Sequence, residues 1–134
     1  MRKFYAIGLM FALLCTVVYA DKRYPMTAAS IVPGARAELE TGTDRNGNTS
    51  LKMKVQHLAY SENLTPHAAV YVIWLRERGG SAENLGQLKV DKNLNAEFET
   101  VTSLQSFDMF VTAEQDARPV SPTGSEVLKA TVQR

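Results

Sequence analysis

The stretch 70–78 reads VYVIWLRER and is apolar on both faces that a β-strand would present. A strand that is apolar on both faces is normally covered on both sides. Its β-branched and aromatic residues favour a strand over a buried helix of the same length. We therefore expect a central strand, around which the other strands are arranged. Its side chains alternate between the faces: Val70, Val72 and Trp74 on one, Tyr71, Ile73 and Leu75 on the other.

Trp74 is the single tryptophan of the chain and the largest side chain of this stretch. We predict that it is a core residue, in contact with residues of other strands such as Val55, Met109 and Val111. A large aromatic side chain in an apolar strand more often packs than presents a binding surface.

Shorter segments elsewhere alternate apolar and polar residues, the period of a half-buried strand. Asn46-Gly47, between two of them, is a strong turn signal because both residues tolerate positive φ, and it predicts a first hairpin. Residues 92–95 separate two more segments and predict a second hairpin. With the central stretch these segments make seven strands: 35–40, 51–56, 88–91, 96–101, 107–113 and 126–132.

Seven short strands separated by turn signals predict an all-β fold, an antiparallel two-sheet β-sandwich of the immunoglobulin-like or a related kind. A closed barrel of similar strand count is the alternative. We assign residues 35–134 to this domain. Residues 21–34, which are polar at the start and include Pro25, are expected to be an extended lead-in.

The segment 1–20, MRKFYAIGLMFALLCTVVYA, has the three parts of a secretory signal peptide. Arg2 and Lys3 form the positive start, an apolar segment follows, and Ala20 ends a cleavage-site pattern. We expect cleavage after Ala20 and export to the periplasm or the medium. Because Cys15 lies in the segment that cleavage removes, the mature chain contains no cysteine. Its stability then depends on the hydrophobic core, without disulfide bonds.

Two other interpretations of the N-terminal segment stay open. Residues 4–20 carry no charge and match the lower end of the about 17–25 residues that span a bilayer, so an uncleaved membrane anchor is the first. A lipoprotein signal at Cys15 is the second, although Leu14 is bulky for the position before a lipidated cysteine.

The charge balance argues against nucleic acid as a partner. The chain has a formal net charge of +1, and loss of two basic residues with the signal segment leaves −1. A near-neutral domain offers no basic surface to phosphates or anionic lipids. We expect membrane association only through an uncleaved N-terminal segment.

Two histidines, His57 and His67, are the candidate metal ligands. A zinc or copper site would need both and a third ligand, such as Met26, Met53, Met109 or an acid. Since Met53 and Met109 fall on expected core faces, packing explains them better. We therefore assign no metal-binding and no cofactor-binding residue.

No catalytic motif stands out either. The sequence contains no Gly-x-Ser-x-Gly and no glycine-rich phosphate loop, so we expect no enzyme activity. The acid pairs Glu38/Glu40 and Glu97/Glu99 each share a strand face and are typical of a solvated surface. Four aromatic residues are candidates for a sugar-binding platform, with core packing as the simpler explanation: Tyr60, Tyr71, Trp74 and Phe98.

From residue 70 onward the order of short motifs resembles a known family. Tyr71-Val72-Ile73-Trp74-Leu75 is similar to the Tyr-x-x-Trp-Leu signature of the RskA-like, anti-sigma-K-factor C-terminal domain. The likeness continues with Leu85-Gly86, then Phe110-Val111-Thr112-Ala113-Glu114, and ends with Pro122-Thr123-Gly124 before an apolar strand. It covers about residues 36–132 and implies a bacterial extracytoplasmic β-sandwich.

The resemblance does not include a sigma-binding part. In complete anti-sigma factors of this kind a cytoplasmic domain holds the sigma factor, whereas only Met1, Arg2 and Lys3 precede the apolar segment here. We therefore expect the outer domain alone, acting as a protein-interaction or sensing module with an extracytoplasmic protein partner. A small ligand or metal carrier that uses His57 and His67 is the alternative. An interaction module should expose an apolar patch or an unprotected edge strand, and a carrier should bring both histidines to one cavity.

Overall fold

A computed structural model describes residues 22–134, and the expected signal segment, residues 1–20, lies outside them. The described part is all-β and antiparallel, as predicted, with one 3₁₀ turn at Ser61–Asn63 and no α-helix. Within it, no helix is long and apolar enough to cross a membrane. The strands are β1 (Lys22–Ala28), β2 (Arg36–Thr43), β3 (Thr49–Gln56), β4 (Val70–Glu77), β5 (Ala82–Leu88), β6 (Ala96–Thr102), β7 (Ser106–Glu114) and β8 (Ser125–Gln133).

All eight strands belong to one continuous sheet, in the order β5-β4-β7-β8-β1-β2-β3-β6. The sheet is nearly barrel-like, because its edge strands β5 and β6 come close without forming a ladder. A two-sheet sandwich of seven strands is therefore not confirmed. The prediction omitted the strand that joins the two halves into one continuous sheet.

The missed strand is β1, which lies in the segment predicted as a lead-in. Residues 22–26 pair with β2, and Thr27 and Ala28 pair with β8, so β1 joins the two halves of the sheet. Met26 is buried in the core, and the exposed Pro25 is tolerated opposite Glu38. Residues 22–28 of the expected lead-in therefore belong to the sheet. Alternation is weak there because this strand contributes few core side chains.

The first hairpin is confirmed, with β2 and β3 in an unbroken antiparallel register. Its turn is closed by Asp44, whose Oδ1 accepts hydrogen bonds from the backbone N–H groups of Asn46 and Asn48, each at 2.9 Å. Gly47 takes φ +80°, as the Asn-Gly signal predicts.

The second hairpin is wrong. The turn at residues 91–95 exists, with Asp91 Oδ1 accepting from the N–H groups of Asn93 and Asn95. The preceding strand, however, is β5 at Ala82–Leu88 and not residues 88–91, and it pairs with β4, while β6 pairs with β3. This turn therefore connects opposite edges of the sheet. Local turn chemistry predicts a reversal of the chain but not which strands pair across it.

The central strand β4 is covered on both faces, as predicted. Tyr71, Ile73 and Leu75 enter the main core, together with Met109 and Val111 of β7. Val72 and Trp74 lie on the other face, in a second cluster with Phe110. Trp74 is fully buried, but the prediction that its face meets Val55, Met109 and Val111 is wrong, because those three residues belong to the main core.

Candidate functional site

The second cluster is held by hydrogen bonds as well as by packing. The rings of Trp74 and Phe110 are stacked, with centroids 6.5 Å apart and planes inclined by 18°. The indole N–H of Trp74 donates to the Thr112 hydroxyl at 2.8 Å, and that hydroxyl donates to Glu114 Oε2 at 2.5 Å. Because buried polar groups are costly without partners, this chain of bonds gives the cluster one defined arrangement.

Glu114 is the acceptor on which the network converges. Besides Thr112, its Oε2 accepts from the backbone N–H groups of Thr123 at 3.2 Å and Gly124 at 3.1 Å, and its Oε1 accepts from the Thr123 hydroxyl at 2.6 Å. Burial raises the pKa of this carboxyl, but the hydrogen bonds outweigh burial, so the pKa lies below its usual 4.5. Glu114 is 2% exposed and stays ionised as a fully bonded acceptor.

Gly124 is required by the close approach of the two chain segments. A Cβ at this position would lie 1.7 Å from the carbonyl oxygen of Ala113. No side chain fits in that space, so any other residue would displace Gly124 from the Glu114 carboxylate. The motifs at residues 71–75, 110–114 and 122–124 thus meet in one hydrogen-bonded unit.

The segment 115–124, which connects β7 to β8, is tied to the same outer face of the sheet. The Asn84 side-chain amide donates to the carbonyl oxygens of Ala117 and Pro119, each at 3.2 Å. Asn84 is the cross-strand neighbour of Trp74 on β5, so the tie lies next to the indole. Near its middle this segment presents Val120, which is 92% exposed.

A charged cluster borders the two rings. The Arg76 guanidinium lies 4.8 Å from the centre of the Phe110 ring and 3.4 Å from Asp108 Oδ2. Lys129 lies 3.8 Å from the same oxygen, and the Thr131 hydroxyl donates to Asp108 Oδ1 at 2.7 Å. Partial burial raises the pKa of Asp108, but the Thr131 hydrogen bond and the two cations outweigh it and lower the pKa. This cluster shields the rings from water.

A groove of about 420 Å³ passes the buried carboxylate and is lined by His67, Glu114, Thr123 and Gly124, among others. His67 and Glu114 are the titratable residues that line it. Glu114 is unsuited to general base chemistry, however, because both its oxygens are occupied and its pKa is lowered rather than raised towards neutrality.

The two histidines occupy different surroundings. His57 lies at the end of β3 with φ +57°, and His67 follows the cis Thr65–Pro66 bond. Both are exposed, and the groove that His67 lines does not include His57. Met26, Met53 and Met109 are buried in the main core. Among residues 22–134 no group of three or more His, Cys, Asp or Glu is placed to hold a metal ion.

The four aromatic candidates do not share one surface. Tyr60 and Tyr71 line one groove, where the Tyr60 hydroxyl donates to the Asp91 carbonyl at 3.1 Å. Tyr71 is buried in the main core, its hydroxyl donates to the Ala59 carbonyl at 2.6 Å, and burial with the nearby Glu62 raises its pKa to about 12. Trp74 lies on the opposite face of the same strand, and Phe98 packs against the main core from β6.

The two edges of the sheet differ in how well they are protected. β5 is interrupted: its register with β4 shifts at Ile73/Trp74, Gly86 takes φ +127°, and the Gly86 N–H donates to the Asn84 side chain. Such irregularities obstruct the addition of another strand. They also explain why β5 does not complete a ladder with β6.

β6 is a regular edge strand. Its seven residues include no proline or glycine, and it pairs with β3 without a register shift. Among the described residues, β3 is the only strand that pairs with β6. Its Val101 is 54% exposed, and together with Val120 it completes the set of large exposed apolar side chains in the described part. β5 approaches this edge without forming a ladder with it. A regular edge that lacks a second strand partner is a template for pairing with another chain.

The residues that direct analysis of composition and spacing missed are Asn84, Thr112, Glu114 and Thr123. Thr112, Glu114 and Thr123 were included only through the resemblance. The direct signal was weak, because Thr112 and Glu114 lie on the outer face of β7, which also carries the polar residues Ser106 and Asp108. Glu114 is bonded by Thr123 and Gly124 of the loop after β7, whereas Asn84 donates to the carbonyls of Ala117 and Pro119. Neither set of contacts could be identified from sequence.

Comparison of the sequence with protein-family models and with curated proteins gave no match to either.

Proposed function

We propose that this chain is a non-enzymatic, extracytoplasmic protein-interaction or sensing module of bacterial origin. In this proposal residues 1–20 direct export, and the domain binds a protein partner in the periplasm or outside the cell. It is similar in kind to the outer domain of RskA-like anti-sigma factors.

The regular edge of β6 is the observation that carries the proposal. An interaction module was expected to expose an apolar patch or an unprotected edge, and β6 offers a seven-residue edge next to the exposed Val101. The opposite edge strand, β5, is irregular. Proteins commonly obstruct their edges because a free edge recruits other chains. A domain that protects one edge and leaves the other regular has a surface suited to a partner.

The hydrogen-bonded unit around Glu114 joins residues from the motifs on which the resemblance rests. Three of the four motifs behind the resemblance supply its members. Residues 71–75 contribute Trp74, residues 110–114 contribute Thr112 and Glu114, and residues 122–124 contribute Thr123 and Gly124. Residues that must occur together for packing are expected to recur as a set of motifs. The same unit explains these residues as structural, which leaves partner binding to the exposed surface.

Site-specific photo-crosslinking tests the proposal. A benzoylphenylalanine residue replaces Val101 of β6 in the full-length chain, and a second variant carries it at the more exposed Val120 as a control. We expect irradiation of the native envelope to give a discrete protein adduct from position 101, identified by mass spectrometry, and a different or weaker pattern from position 120. Absence of a discrete adduct at position 101 would contradict the proposal.

A further inference from the structure

The outer face of the half-sheet formed by β1, β2, β3 and β6 carries rows of alternating charge. In one row, Arg23 pairs with Glu40, Glu40 with Lys52, and Lys52 with Glu99, so the signs run plus, minus, plus, minus. In the adjacent row, Glu38, Lys54 and Glu97 run minus, plus, minus. Opposite charges at directly paired positions stabilise neighbouring strands.

The rows are coupled to each other. Lys54 Nζ lies 3.1 Å from Glu40 Oε2, diagonally across the two rows. The hydrogen bond from Lys54 is the main cause that lowers the pKa of Glu40, and Arg23 and Lys52 contribute through their charge. On this face the side chains of the rows are therefore acidic on β2, basic on β3 and acidic on β6. The alternation of charge ends at the sheet edge with the exposed Glu97 and Glu99.

A third row ends in an apolar residue. Gly42 pairs with Ser50, and Ser50 with Val101, so the edge presents Glu97, Glu99 and Val101 in succession on one face. The strand that continues all three rows would have two basic side chains opposite the acids and an apolar one opposite Val101.

We propose that the β6 edge binds an extended segment of a partner protein, as an added antiparallel strand with the pattern apolar-x-basic-x-basic. This inference rests on the proposed interaction function and specifies its surface and the chemistry of the partner. Main-chain hydrogen bonds supply affinity in this mode, and the alternate side chains supply specificity.

A second copy of the chain fits the edge poorly. Antiparallel pairing of β6 with β6 about Phe98 places Glu97 of one copy opposite Glu99 of the other, twice in the same interface. Like charges directly opposite each other destabilise paired strands. In this register the charge pattern therefore favours a basic strand over a second copy of the chain.

Binding of two labelled peptides to the full-length chain tests the inference, with fluorescence anisotropy as the readout. The first, acetyl-TVTKTKT-amide, places valine opposite Val101 and its lysines opposite Glu99 and Glu97. The second has glutamate in place of both lysines. We expect the lysine peptide to bind about tenfold more tightly, from two pairs of changed sign, and the preference to shrink as salt is added. Equal binding of the two peptides would overturn the inference.

Two further measurements separate strand addition from general charge attraction. Two versions of the lysine peptide are N-methylated, one at its even and one at its odd residues. Each version lacks the N–H donors on one side of the peptide backbone, so we expect one of the two to lose binding. If both bind like the parent peptide, no strand is added and the proposal fails. The variant Glu97→Lys/Glu99→Lys should reverse the preference towards the glutamate peptide. The control Glu83→Lys/Glu126→Lys makes the same change in net charge elsewhere and should leave the preference unchanged.

The outcomes also distinguish this inference from the proposed function. If position 101 crosslinks to a protein but the peptides bind equally, the interaction function stands and the basic-strand assignment fails. If light scattering finds a dimer that the Glu97→Lys/Glu99→Lys variant disrupts, the edge serves self-association and the inference is wrong. If neither peptide binds and no adduct forms at position 101, both proposals fail.

Discussion

Replacement of Glu114 with glutamine tests whether the charge of this buried acceptor stabilises the fold. Glutamine has nearly the same shape, and its oxygen can occupy the Oε2 position, where three donors from Thr112, Thr123 and Gly124 converge. Its amide can donate to the Thr123 hydroxyl, which now faces Oε1 at 2.6 Å. The Thr123 O–H loses its acceptor in this arrangement, so Glu114→Gln keeps the shape but removes the charge and one hydrogen-bond acceptor.

The expected loss follows from the four hydrogen bonds. A hydrogen bond to a charged group contributes about 1.5–3 kcal/mol to stability, against about 0.5–1.5 kcal/mol for a neutral one. Burial of the charge offsets part of this gain. We expect Glu114→Gln to lower the free energy of unfolding by about 1–2 kcal/mol at pH 7. Glu114→Ala also leaves the buried Thr112 hydroxyl without its acceptor and should cost about 3 kcal/mol.

The pH dependence has a defined sign. Hydrogen bonding lowers the pKa of Glu114 in the folded protein below 4.5. A carboxyl with a lower pKa when folded stabilises the fold above its unfolded pKa, and this contribution disappears as the pH falls through the folded pKa. Glutamine does not titrate. The difference in stability between the wild type and Glu114→Gln should therefore be largest near neutral pH and shrink below about pH 4.5.

Urea unfolding of the full-length chain at several pH values measures this difference. The fluorescence of Trp74 is a suitable signal, since the indole belongs to the same hydrogen-bonded unit. Glu126→Gln, at an exposed position, is the matched control and should change stability by less than about 0.5 kcal/mol. Asp108 and Glu40 also have lowered pKa values, so both proteins lose stability in acid and only their difference reports on Glu114. A difference that is constant with pH would refute the reasoning.

Three other predictions concern the core, the histidines and processing. Trp74→Ala should lower the free energy of unfolding by about 3–5 kcal/mol because it empties a fully buried site. The wild-type indole should emit at short wavelength and resist quenching by acrylamide. An unchanged melting temperature together with lost binding of a sugar or partner would show a surface role instead. Elemental analysis of untagged protein should find no stoichiometric zinc or copper, and one metal per chain that disappears on mutating both His57 and His67 would revive the carrier hypothesis. The exported protein should begin at Asp21 by intact mass, whereas a membrane-bound protein that keeps residues 1–20 would favour the anchor.

The fold class was predictable because alternation survives in most of the strands. Leu51, Met53 and Val55 are buried on one face of β3, and the Asn46-Gly47 turn closes the hairpin as expected. Two features were not predictable in the same way. β1 pairs with β2 and β8 although its sequence alternates weakly, and β5 begins directly after the glycine turn that follows β4. Backbone hydrogen bonds to neighbouring strands make these segments strands, and such bonds leave little trace in side-chain pattern.

The candidate sites were likewise predictable from the sequence only in part. The acid pairs and lysines on β2, β3 and β6 were recognisable as outward residues from their period of two. Their arrangement in rows depends on the pairing of β6 with β3. The sequence had instead predicted that residues 96–101 form a hairpin with residues 88–91. The strand partners therefore decided which charges face each other, and so which edge continues the alternation.

The sequence alone determined that this chain forms antiparallel strands, which side chains of most strands are buried, and where its tight turns lie, because alternation and turn chemistry act over a few neighbouring residues. Only the tertiary structure decided that the strands join into one sheet, that Trp74 packs away from the main core, and that Glu114 meets Thr123 and Gly124. Those outcomes depend on which strands and loops meet in the folded chain, and this is set by how all the strands together bury their apolar faces and satisfy their hydrogen bonds.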